Sequence, residues 1–163
     1  MNPETRRVVS EILKDRYFSK AVDLGCGEGY YGDILKAHAK YLIGVDHNYP
    51  RLNVAKEFSG YDEVVFSDMR SYTVPTDVDA VFMFDSIEHI PKKDGFDLLL
   101  KLRNVPFVLI STPVKYTPFA FRDGHQSLWT EKDFTANNFN FTKYNKGVLT
   151  LFTEIGIVAW REK

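Results

Sequence analysis

Cysteine is nearly absent. Cys26 is the single thiol in 163 residues, which excludes an intramolecular disulfide and a multi-cysteine zinc site. Long apolar runs are missing too: the longest is the five residues Ala80 to Phe84, against the roughly 20 that a membrane-spanning helix needs. Met1 to Arg7 leads into no apolar stretch that could serve as a signal peptide. The expectation is a soluble cytoplasmic protein with no membrane partner. Charge of one sign is scarce, since 21 Lys and Arg face 22 Asp and Glu for a net −1. Residues 1–82 sum to −3 and the remainder to +2, so neither half has the basic footprint of a dedicated duplex-DNA binder. No repeat, low-complexity tract or Pro/Gly/Ser-rich linker divides the chain, and one domain over 1–163 is expected. What abounds is aromatic bulk: 2 Trp, 9 Tyr and 13 Phe, or 15%, enough for a core without staples.

Apolar periodicity alternates between the two regular structures. Pro3 to Tyr17 reads as a helix with Val8, Val9, Ile12 and Leu13 on one stripe. Ala21–Leu24 is a short strand running into glycines, Tyr30–Ala39 a helix, and Tyr41–Val45 a second strand ending at Asp46. Pro50 suits the first turn of a helix to about Glu57. Glu63–Phe66, Val78–Phe84 and Val105–Ile110 are further strands, with a helix opened by Pro91 before the last of them. Thr130 with Asp133 three residues on resembles a helix-capping start. Phe139–Tyr144 and Val148–Trp160 are expected to form a hairpin turning at Asn145-Lys146-Gly147. Alternating strands and helices predict an α/β fold, a mostly parallel sheet with helices on both faces and an antiparallel hairpin at one edge.

Asp23-Leu24-Gly25-Cys26-Gly27-Glu28-Gly29 sits at a strand-to-helix junction, where glycines admit a ligand against main-chain atoms. The spacing is G-x-G-x-G and not the G-x-G-x-x-G of dinucleotide folds. Asp23 would repel a pyrophosphate but attract the ammonium of an amino-acid-bearing cofactor. Asp46, 17 residues beyond Gly29, is placed to accept hydrogen bonds from a ribose diol. These features point to S-adenosyl-L-methionine and away from a nicotinamide-dependent oxidoreductase.

On these residues the chain resembles the class I S-adenosylmethionine-dependent methyltransferases over most of its length. Asp23 to Gly29 is similar to the family's first motif, Gly44-Val45-Asp46 to its second-strand acidic end, and Phe66-Ser67-Asp68-Met69 to the segment that holds adenine. The resemblance implies a Rossmann-like sheet of seven strands with a reversed final strand. It also implies a cofactor site of Asp23, Gly25, Cys26, Gly27, Gly29, Asp46, His47, Asp68, Met69 and Asp85, with Asp68 toward the adenine amine and Met69 against the ring.

For the acceptor, loops at the carboxyl ends of the strands bring forward His89, His125 and Asp85 as candidate catalytic residues. An imidazole titrates near neutral pH and suits proton transfer when the acceptor carries a proton. No Asn/Asp-Pro-Pro-Tyr/Phe tetrapeptide follows the fourth strand; Asp85-Ser86-Ile87-Glu88 stands there instead, which disfavours nucleobase and glutamine amino groups. Asp85, Glu88, His89 and His125 are similar to the metal-holding set of the small-RNA 3′-terminal 2′-O-methyltransferases, with Asp85 in place of a glutamate. Glu-His also stands at this loop in methyltransferases without metal, and a metal-free site is expected. Tyr116, Phe119, Phe121 and Trp129 mark an aromatic excursion, expected mainly as core or lid packing. A capless, shallow site favours a macromolecular methyl acceptor, or else a pocket completed by a second copy in a homodimer; protein, RNA and small molecule all stay open as acceptors. Because the cofactor motifs are intact, an enzyme is favoured over a non-catalytic cofactor-binding subunit.

Overall fold

A computed structural model describes residues 3–114, 124–149 and 152–163. Tyr116, Phe119 and Phe121 of the aromatic excursion lie outside the described residues. The element order is α1 (Pro3–Leu13), β1 (Phe18–Leu24), α2 (Gly32–Ala37), β2 (Ala39–Asp46), α3 (Tyr49–Phe58), β3 (Glu63–Phe66), β4 (Ala80–Phe84), α4 (Lys92–Lys101), β5 (Phe107–Pro113), α5 (Glu131–Ala136), β6 (Asn140–Leu149) and β7 (Phe152–Glu162). The seven strands form one sheet in the order β3-β2-β1-β4-β5-β7-β6. Pairs among β1 to β5 are parallel, whereas β7 runs antiparallel to both β5 and β6. This is the α/β architecture with an antiparallel terminal hairpin that the alternating pattern predicted.

Period-two alternation sends the two sides of each strand into separate cores. Val22, Leu24, Val81, Met83, Val108 and Ile110 pack with Leu98 and Leu99 of α4 and Phe134 of α5. Ala21, Leu42, Ala80, Phe82, Phe107 and Leu109 pack on the opposite face with Val8, Val9 and Leu13 of α1 and Leu35 of α2. Every residue of β4 and of β5 is buried, as expected of central strands covered on both faces. Among the described residues, no helix is long and apolar enough to cross a membrane.

Several expected boundaries shift, and the sheet explains why. The first helix stops at Leu13, short of Tyr17, because Arg16 turns back to donate to the carbonyls of Leu13 (backbone, 2.8 Å) and Ile12 (side chain), and Phe18 already pairs with Ala39 in β1 and β2. That pairing also draws Ala39 out of the predicted second helix. Asn145-Lys146-Gly147 does not form the expected turn. Asn145 opposes Ile155 and Val148 opposes Thr153, so one extra β6 residue bulges there and pairing runs on to Leu149 opposite Phe152. The cap at Thr130 is as expected: its N–H and hydroxyl both donate to the Asp133 carboxylate, each at 2.7 Å.

Candidate active site and its family

The chain order reverses between β1 and β4, and their carboxyl ends splay around a cleft of about 540 Å³. The glycine turn after β1 is tied to the neighbouring strand, with the N–H groups of Gly25 and Cys26 both donating to the Val45 carbonyl at 2.7 and 3.1 Å. Ser86, after β4, donates its hydroxyl to the Leu24 carbonyl at 3.0 Å. The glycines have different duties. Gly27, at φ +55°, has nothing within 4 Å of where a Cβ would stand, so its missing side chain leaves open cleft. Gly29, at φ +81°, does not line the cleft; a Cβ there would meet Ser59 Oγ at 2.1 Å. Its smallness serves packing against the end of α3.

Two carboxylates stand at the base of the cleft. Asp46, closing β2, accepts from Gly27 N at 2.8 Å through Oδ2 and from Asn48 N at 2.7 Å through Oδ1. Each oxygen keeps a lone pair for a further donor. Asp23 is 2% exposed; the Tyr61 hydroxyl donates to its Oδ2 at 2.7 Å, while Oδ1 is buried with no hydrogen-bond partner. Burial pushes the Asp23 carboxyl up to about 7, the Tyr61 hydrogen bond opposes the rise, and Asp46 adds to it. Cys26 lines the cleft as a neutral thiol, its ionisation pushed up by burial first and by Asp23 and Asp46 next. His47 and Met69 also line the cleft. Asp68 does not: its carboxylate is held by Arg70, whose Nε and Nη2 donate to it at 2.9 and 2.5 Å.

The opposite wall is formed by Phe84, Asp85, Ser86 and His89. Asp85 adopts φ +46°, a left-handed conformation that is uncommon outside glycine and clusters at functional sites. A 3₁₀ turn, Ile87–His89, follows. The segment after the undescribed stretch is bonded to it: Gln126 N and Ser127 N donate to the Glu88 carbonyl at 2.7 and 3.0 Å, and Gln126 Nε2 to the His89 carbonyl at 2.8 Å. The rings of His89 and His125 therefore meet edge to face, centroids 4.9 Å apart. Ligand atoms of Glu88, His89 and His125 lie within 4.8 Å of one another; Asp85 is not in that cluster. Glu88 is buried and accepts from the Thr112 hydroxyl at 3.1 Å. Tyr61, Ser86 and Gln126 carried no sequence signal, because each acts on a partner 35 or more residues away.

Residues 21–105 match the methyltransferase domain family. A probable S-adenosylmethionine-dependent methyltransferase of Mycobacterium tuberculosis is 31% identical over 159 residues, spanning 93% of this chain and 54% of the relative. This chain thus spans about half the length of the curated relatives it matches. Among solved structures, the N-methyltransferase NodS from Bradyrhizobium japonicum in complex with S-adenosylhomocysteine superimposes with a TM-score of 0.76 at 14% identity, covering 99% of this chain and 88% of that one. The methyltransferase domain of a bacterial Hen1 gives 0.70 at 22% identity, covering 98% of each chain.

The chain belongs to the methyltransferase domain family, the class I S-adenosylmethionine-dependent methyltransferases. Its cofactor is S-adenosylmethionine, and the cleft fits that molecule: Asp23 presents an unpartnered buried oxygen to a cation, and Asp46 has acceptor capacity left for a diol. Gly27→Val is accordingly expected to abolish S-adenosylhomocysteine binding, because its side chain would occupy the open cleft. Calorimetry on a folded variant checks this, and retained affinity would remove the ligand from that position.

Proposed function

We propose that this chain transfers a methyl group from S-adenosylmethionine to an oxygen or nitrogen atom of a macromolecular acceptor. The observation that carries the reading is the pair of Asp23 and Asp46 at the base of one cleft, one with an unpartnered oxygen and the other clamped by two backbone N–H groups. Asp23 would face the cofactor's ammonium, Asp46 would accept from the ribose hydroxyls, and Met69 would lie against the adenine. Bound, the cofactor supplies a methyl group on a positively charged sulfur, and its displacement by an in-line nucleophile depends mainly on positioning. Phe84, Asp85 and His89 form the wall along which an acceptor enters, and the His89–His125 pair takes up the proton the nucleophile gives off.

The test is methyl transfer by the isolated chain to RNA, protein and metabolite fractions. His89→Ala is expected to lower turnover about 10²–10⁴-fold, the usual range for a general base, with S-adenosylhomocysteine affinity unchanged. Turnover that survives His89→Ala and His125→Ala would end the base assignment. No turnover on any fraction would favour a cofactor-binding subunit.

The convergence of Glu88, His89 and His125 favours a second reading, in which two imidazoles and a carboxylate hold a divalent ion that grips an RNA 3′ diol. Methyl transfer to a short RNA with a free 3′ diol, in chelator or in added Mn²⁺, separates the two. Full activity in chelator ends the metal reading.

A further inference from the structure

We infer that Tyr61 is the positioning residue of the cofactor cleft: its hydroxyl, reaching through a gap left by Gly44, holds the Asp23 carboxylate aimed at the cofactor's ammonium, and thereby sets the pH range of cofactor binding. This rests on the cofactor reading above. Asp23 and Gly44 are register partners on β1 and β2, so a side chain at Gly44 would stand beside the carboxylate. Instead the Tyr61 ring fills that place. A Cβ on Gly44 would fall 3.1 Å from Tyr61 Cδ1 and 3.0 Å from Cys26 Sγ. A Cβ on Gly29 would come within 3.0 Å of Tyr61 Cε2. The two glycines thus clear a slot from the approach to β3 down to Asp23, and the hydroxyl at its end donates to Oδ2 at 2.7 Å.

The groups facing Asp23 are Tyr61 from the approach to β3, Asp46 from the end of β2, Cys26 from the glycine turn and Tyr31 from the approach to α2. None is a cation. Burial and Asp46 both disfavour the charged carboxylate, and the Tyr61 hydrogen bond is the one influence on the other side. Burial and the neighbouring Asp23 push the Tyr61 phenol well above its ordinary value, so it stays protonated and donates. The sign follows. An ammonium is held by the ionised carboxylate, so affinity rises with pH until Asp23 is fully ionised. Removing the hydroxyl leaves only influences that oppose ionisation and moves that rise to higher pH.

The measurement is S-adenosylhomocysteine affinity by calorimetry from about pH 5.5 to 8.5, with a carbon-13 titration of the Asp23 carboxyl in the cofactor-free protein. Wild type should tighten with pH through a midpoint near 7 and level off about one pH unit higher. Tyr61→Phe keeps the ring and should displace both curves upward by about one pH unit, about tenfold weaker binding at a fixed pH below the midpoint. Gly44→Ala, which keeps the hydroxyl but crowds the ring, should move them the same way. Coincident wild-type and Tyr61→Phe curves, with wild type binding normally, overturn the inference alone. A wild type that binds at no pH overturns the cofactor reading and the inference with it.

Discussion

Asp46→Ala is expected to weaken S-adenosylhomocysteine binding by about 10²–10⁴-fold, from two hydrogen bonds to a charged acceptor at about 1.5–3 kcal/mol each and 1.4 kcal/mol per tenfold. The effect is large because the carboxylate has two duties. Its oxygens anchor Gly27 N at 2.8 Å and Asn48 N at 2.7 Å, shaping the glycine turn and the start of α3, while their remaining lone pairs face the cleft. Asp46→Asn separates the two, since the amide keeps one acceptor for the backbone but offers the diol a donor where an acceptor stood. Asn should therefore recover part of the fold's stability but little of the affinity. Calorimetry beside thermal unfolding reads both, and an alanine variant of undiminished affinity would sink the proposed ribose contact.

Trp129→Ala should produce the largest loss of stability, about 3–5 kcal/mol for a buried aromatic. At about 2–4 °C per kcal/mol for a chain of this size, melting should fall by about 6–20 °C. Trp129 is fully buried, 5.2 Å from the Phe96 ring and 5.8 Å from that of Phe134. Its indole N–H donates to Ser127 Oγ at 3.0 Å, and Lys92 Nζ lies 4.2 Å from its ring centroid. Gly95 on α4 makes the room, since a Cβ there would stand 2.4 Å from the indole Cζ2. The substitution should also loosen residues 124–127, which bond to Glu88 and His89. Trp129→Phe should recover part of the loss. A change in melting of less than about 2 °C would exclude Trp129 from the core.

The amino-acid sequence by itself determined what depends on local chemistry and periodicity. Strand–helix alternation specified the α/β sheet, because short continuous apolar runs such as Ala80–Phe84 suit strands covered on both faces and helical stripes such as Val8, Val9 and Leu13 bury a single face. Glycines after a strand specified a ligand turn, and Thr130 with Asp133 specified a helix start, because each acts within a few residues. Tertiary structure decided everything that joins distant segments. It put Tyr61 on Asp23 across 38 residues and His125 against His89. It made Gly29 a packing position and turned Asn145-Lys146-Gly147 into a bulge, since β7 pairs beyond it. It also put Asp68 in the grip of Arg70 and Trp129 in the core. Burial, and the partner met in it, depend on which strands lie side by side, and that order is a property of the whole sheet.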